Sequence, residues 1–140
     1  MEQISIISYS EQYKKQLLNL IDLFYKETIK QYNKININYI IESNDLDNNY
    51  YILLDNDIIV GYINYCIDEE YENTIMINQL FILREYRNKG LATKLINNLF
   101  EEYKDFNFCL GVVESNENAK RLYNKLGFNK PTFQFLYKEK

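Results

Sequence analysis

The stretch Leu80-Phe81-Ile82-Leu83-Arg84-Glu85-Tyr86-Arg87-Asn88-Lys89-Gly90-Leu91-Ala92 orders the rest of the chain. A run of apolar, strand-forming residues enters it. An amphipathic repeat leaves it: Leu91, Leu95, Leu99 and Tyr103, beside Ala92, Ile96 and Phe100, make two adjacent rows at i, i+4 spacing. The segment therefore joins a strand over residues 74–83 to a helix over 89–103. At a helix start several backbone N–H groups lack intrahelical partners and the positive end of the dipole faces outward, so an anion is stabilised there. Gly90 removes the Cβ that would keep an anion off the main chain, and Ala92 keeps the next turn small. Arg87 and Lys89 bring positive charge to the same place. The core Arg-x-x-Gly-x-Ala reads as a cradle for a diphosphate, although neither common nucleotide loop, Gly-x-Gly-x-x-Gly or Gly-x4-Gly-Lys-Ser/Thr, is present. Taken alone, the segment reads equally well as an ordinary glycine loop before an amphipathic helix.

Working outward from it, residues 106–113 read as a strand, so strand, helix and strand form a βαβ unit with parallel strands. Asn116 then opens a helix whose Ala119, Leu122, Tyr123 and Leu126 share a face, and Gly127 closes it. Residues 133–137 supply a last strand. Upstream, residues 4–9 form a first strand, and Tyr13, Leu17, Leu20, Ile21, Phe24 and Tyr25 mark an amphipathic helix after Ser10. A polar interval over 26–34 interrupts that pattern before a shorter helical or irregular piece over 35–46. Two apolar runs, 50–54 and 58–67, flank Asp55-Asn56-Asp57 and make a hairpin. The strand over 74–83 follows an acidic loop and extends this antiparallel half.

One domain over residues 1–140 is the expectation for a chain of 140 residues, and 46% hydrophobic with 16% aromatic content suffices for it to fold alone. The chain contains no histidine, which excludes a Ser-His-Asp or Cys-His relay and a His-ligated zinc site. A formal net charge of -4 offers no broad footprint for phosphate backbones, so no nucleic-acid partner is expected. Cys66 and Cys109 sit far apart inside apolar stretches, which suits buried thiols in a reducing compartment and no metal. The N-terminus lacks a basic leader, and no apolar run approaches the ~18 residues of a membrane span. A cytoplasmic protein with no membrane partner follows as the expectation.

Leu80-x-Ile82 followed by Tyr86-Arg87-x-Lys89-Gly90-x-Ala92 resembles the acetyl-CoA motif of the GNAT superfamily of N-acetyltransferases. The second segment agrees. Leu110-x-Val112-x-x-x-Asn116-x-x-Ala119-x-x-Leu122-Tyr123-x-x-x-Gly127-Phe128 is similar to the second half of that family's core, in the same register. The departures from the pattern are Arg84 where proline is common, Asn88 where glycine is common, and Ala92 in place of the frequent second glycine, which the family tolerates. The resemblance implies an α/β (α+β) fold: a mixed, mostly antiparallel sheet of about six to seven strands flanked by about four helices. A parallel strand pair would splay at the cofactor site. Unpaired N–H and C=O groups in that gap could pair with an amide-bearing arm as if with another strand.

By that resemblance, acetyl-CoA is the cosubstrate and no metal is used. Leu80, Phe81 and Ile82 would supply main-chain contacts to the acetyl and pantetheine groups. Arg87, Asn88, Lys89, Gly90, Leu91, Ala92 and Thr93 would surround the diphosphate, and Asn116 would hydrogen-bond the pantetheine arm. Tyr123 would offer its phenol to the leaving sulfur, and an amine would attack the thioester directly. No histidine can take the amine's proton, so Glu114 or water must, while Gln79 could only position a water. Asn116 is also a favoured N-cap, Tyr123 lies on an apolar face, and Glu114 also reads as a solvated strand end. A non-catalytic acyl-CoA-binding module is the alternative, and the net acidity counts against an RNA-linked acceptor. The expected partner is a small-molecule or protein amine, with the chain a monomer or homodimer. Residues 26–46 and 129–135 would line the acceptor pocket, and neither carries a readable motif.

Overall fold

Two near-continuous apolar runs on either side of an asparagine turn, buried on both faces, produce the central ribbon: β2 (Tyr50–Asp55) and β3 (Ile58–Ile67) pair antiparallel. Asn56, at φ 58, turns the two-residue loop between them. The computed structural model describes residues 3–28, 49–68, 70, 73–112, 116–132, 136 and 138. β1 (Ile4–Ser8) pairs antiparallel with β2, and β4 (Thr74–Ile82) pairs antiparallel with β3. β5 (Asn107–Leu110) lies parallel to β4, giving the order β1-β2-β3-β4-β5. A helix, α2 (Leu91–Glu102), crosses between the two parallel strands as the βαβ reading requires.

Each face of the sheet carries a core. On one, α1 (Lys14–Thr28) lays Leu17, Leu20 and Ile21 against Ile52, Leu54, Ile59, Tyr62 and Phe81. On the other, Leu91, Leu95, Ile96 and Leu99 of α2 cover Leu53, Ile63, Ile75, Ile77 and Ile82. Leu95, Ile96 and Leu99 are all fully buried, and each such side chain contributes about 1.5–3 kcal/mol of transfer free energy. α3 (Glu117–Lys125) and the turn that closes it add Tyr123, Leu126 and Phe128 to the edge of this second core.

The described residues hold five strands and three α-helices, fewer than the six to seven strands and four helices expected. Most of the expected last strand, and all of the piece over 35–46, lie outside the described residues. β5 is also shorter than the expected 106–113, because Gly111 and Val112 leave the ladder. The helix expected from Lys89 begins at Leu91, since Gly90 takes φ 77 and stays in the loop. The cysteines differ from a core reading as well. Both are only half-buried, and Cys109 Sγ lies 3.5 Å from Met76 Sδ.

Candidate active site

β4 contains one residue more than its neighbour. Tyr65 pairs with Ile77 and Asn64 with Gln79, so Asn78 is an extra residue bulged out of the β3 ladder. Successive residues of a strand turn their N–H and C=O to opposite edges, and an inserted residue reverses that order. Before the bulge, Thr74 O accepts from Asp68 N on the β3 side and Asn73 O accepts from Asn107 N on the β5 side. After it, Leu83 N donates to Val60 O, so Phe81 faces β3 while Leu80 and Ile82 face away. The parallel ladder ends at the same level, with Ile77 opposite Leu110. Beyond it β4 runs on to Ile82 without pairing to β5, and among the described residues the main-chain groups of Leu80 point to that open side, away from β3.

The loop from β4 to α2 is tied down on two sides. Leu83 leads into a 3-10 turn over Arg84–Tyr86, whose Tyr86 hydroxyl donates to Asp55 Oδ2 at 2.7 Å. Arg87 reaches back: Nε donates to Ile82 O at 2.8 Å, and Nη2 donates to both oxygens of Glu27 at 3.0 and 2.9 Å. Asn88, at φ 62, takes the left-handed conformation that glycine would take, so its replacement of a glycine leaves the turn intact. A Cβ built on Gly90 would meet nothing within 4 Å, so the space above the start of α2 is open. Lys94 N donates to Gly90 O at 3.1 Å, and the N–H groups ahead of it belong to the first turn, which has no intrahelical partners. Lys89 is exposed, its ammonium 5.5 Å from the Tyr86 ring centre.

Asn116 caps α3, its Oδ1 accepting from Ala119 N at 3.1 Å. Gly127, at φ 102, closes that helix with Gly127 N donating to Asn124 O and Phe128 N to Tyr123 O. The Tyr123 and Phe128 rings meet edge-on at 6.1 Å. Burial raises the Tyr123 phenol above the ordinary tyrosine value, and among the described residues its hydroxyl has no hydrogen-bond partner. Leu80, Tyr86, Ala92 and Tyr123 all pack against the same core, the one that α2 covers. Glu114 lies outside the described residues. Gln79 differs from its expected role: its amide is spanned by two phenols, Tyr62 donating to Oε1 at 2.8 Å and Nε2 donating to Tyr25 at 3.2 Å. Sequence reasoning missed three features: the bulge, the Tyr86–Asp55 bond and Glu27. The last two join residues far apart in the chain, and no local pattern signals them.

The sequence profile of the Acetyltransferase (GNAT) family matches residues 15–128, from α1 through the end of α3. The chain belongs to the GNAT family. It is 30% identical to N-alpha-acetyltransferase 30 of Schizosaccharomyces pombe over 131 residues, 89% of this chain and 83% of that one. It is 34% identical over 79 residues to a probable spermine N(1)-acetyltransferase of Bacillus subtilis, spanning about half of each. The fold matches the aminoglycoside N-acetyltransferase AAC(6')-Iy, solved with CoA, at a TM-score of 0.72 and 14% identity over 99% of this chain and 96% of the other. This GNAT chain is an N-acetyltransferase. Among the described residues no group of His, Cys, Asp or Glu could hold a metal ion, and no helix is long and apolar enough to cross a membrane.

Proposed function

We propose that this GNAT chain moves the acetyl group of acetyl-CoA directly to a primary amine, carried by a small molecule or a protein. The observation that carries the reading is the end of β4, where the bulge at Asn78 turns the main chain of Leu80 to the side away from β3 just where β5 stops pairing. The residues fit the cosubstrate. The open space over Gly90 and the bare first turn of α2 suit a diphosphate, with Asn88 through Thr93 around it and Arg87 at the edge of the loop. Acetyl-CoA supplies an activated acetyl thioester when bound.

Leu80 N–H donates to the acetyl oxygen as negative charge develops there, and Ile82 N–H faces the same side for the pantetheine arm. Phe81 turns its own main chain to β3 and supports the site through packing. Asn116 caps α3 with its oxygen, which leaves Nδ2 to donate to an amide carbonyl of the arm. Tyr123 keeps its proton at neutral pH, because burial disfavours the phenolate. Its role is therefore to donate a hydrogen bond to the sulfur as the thiolate forms, with proton transfer completed late. The attacking amine must first lose a proton, to Glu114 or to water.

Two measurements on the same preparation test the reading. Acetyl-CoA at 100 times its dissociation constant should contribute about 2.7 kcal/mol, roughly 5–10 °C in melting temperature for this size. A panel of primary amines should contain at least one that accelerates thiol release from acetyl-CoA. An unshifted melting curve, or a panel of polyamines, amino acids and peptide N-termini with no member above the amine-free rate, contradicts it.

A further inference from the structure

Arg87 is already spoken for. Its Nε and Nη2 are bound to Ile82 O and to both oxygens of Glu27, and its main-chain N–H donates to Arg84 O at 3.2 Å. The guanidinium lies 5.4 Å from the centre of the Phe81 ring, on the face of the sheet covered by α1. The helix whose N-terminus would receive the diphosphate packs on the opposite face. Glu27 sits in the last turn of α1, and Arg84 adds a longer contact to its carboxylate at 3.9 Å. For Arg87 to swing onto a diphosphate, two charge-assisted hydrogen bonds and the bond to Ile82 would have to break. The Glu27 carboxylate would then stand unpaired close to an incoming anion. With the pair intact, that anion meets a neutralised carboxylate instead.

We propose that Arg87 is a positioning residue and not a ligand of the diphosphate. With Glu27 it forms a strut that fixes the end of α1 against the end of β4 and the start of the cradle. The diphosphate is then held by the main-chain N–H groups of residues 88–93 and by Lys89. Glu27 also lines an open cleft of about 260 Å³ together with Leu23, Phe81, Leu83 and Arg84 among others. This inference rests on the cradle reading for its ligand, but the strut exists in the ligand-free protein and can be measured there.

The test is a double-mutant cycle on full-length protein with coenzyme A as the probe: parent, Glu27→Gln, Arg87→Gln and the double variant, by titration calorimetry. A strut predicts that each single change weakens CoA binding by a similar, about two- to fivefold factor, the size expected of a partly exposed pair. The double variant should be no weaker than the weaker single. Arg87→Gln losing more than tenfold while Glu27→Gln binds as well as the parent, or better, overturns the proposal. Amide hydrogen exchange over residues 84–93 without ligand is the second readout. It should quicken in both singles, and no further in the double; exchange unchanged in either single overturns the strut. A parent that binds no CoA refutes the proposed function, and the exchange data then decide the strut alone.

Discussion

Gly90 allows backbone cost and ligand approach to be separated at one atom. Its φ of +77 is left-handed, so any L-residue there is strained by roughly 1–2 kcal/mol, less for asparagine, which tolerates this region. No steric cost adds to it, because a Cβ would meet nothing within 4 Å. Asn88, two residues earlier, already holds φ 62 with an asparagine side chain. Gly90→Asn should therefore lose about 1 kcal/mol or less, roughly 3–5 °C in melting temperature at this size. The same side chain occupies the open space over the first turn of α2, where the diphosphate is placed. The rise of about 2.7 kcal/mol from acetyl-CoA in hundredfold excess should fall below about 1 kcal/mol. Gly127→Asn is the control. It carries a backbone cost at least as large, since φ +102 lies further from the region asparagine tolerates, with nothing within 4 Å; but it lies at the end of α3, and it should keep the full rise. Thermal unfolding followed by circular dichroism, with and without acetyl-CoA, reads all three proteins. Gly90→Asn retaining the parental rise would refute the cradle, since an anion seated on that main chain cannot ignore the added atoms.

Gly61 faces the end of β4, and a Cβ there would stand 2.8 Å from Phe81 O and 2.7 Å from Ile82 Cδ1. The methyl of Ile82 can move and the carbonyl cannot, so Gly61→Ala should destabilise by about 1–3 kcal/mol in chemical denaturation; an unchanged midpoint would show that β4 yields without cost. Alkaline pH should also weaken the fold. Burial raises the phenols of Tyr62, Tyr65 and Tyr123, so above about pH 10 the unfolded chain releases protons that the folded chain still holds, and stability falls as pH rises. Melting temperature measured from pH 9 to 11 should decline, and less steeply in Tyr62→Phe; equal slopes would exclude Tyr62 as a contributor.

The central hairpin was legible because Asp55-Asn56-Asp57 interrupts two β-branched runs, and local turn chemistry decides such a feature. The βαβ unit and its glycine turn were legible for a related reason: the i, i+4 rows of α2 and the glycine before it lie within a few residues of each other. The capping of α3 by Asn116 and its closure at Gly127 followed the same local logic, and both appear with their expected bonds. The bulge at Asn78 was not legible. It exists only in the register between β3 and β4, and nothing in Ile77-Asn78-Gln79 marks which residue is extra. Glu27 escaped for a different reason: it stands 60 residues from Arg87, in a polar turn of α1 that reads as solvent-facing. Gln79 looked like a free polar group on a splayed strand, but Tyr25 and Tyr62 bring their hydroxyls to it from an adjacent helix and strand.

Removing one oxygen from Tyr123 tests the central claim, that transfer occurs in the gap with this phenol as the proton donor. Tyr123→Phe keeps the ring that meets Phe128 and packs against the core that α2 covers, and deletes a hydroxyl with no partner among the described residues. Melting temperature and the acetyl-CoA rise should match the parent within about 2 °C, because no folded-state bond is lost. Thiol release with an accepted amine should fall by about 10²-fold, the lower end for a positioned acid, since burial already makes this phenol a reluctant one. A variant that binds acetyl-CoA normally and turns over at the parental rate would contradict the account, leaving Tyr123 as packing alone.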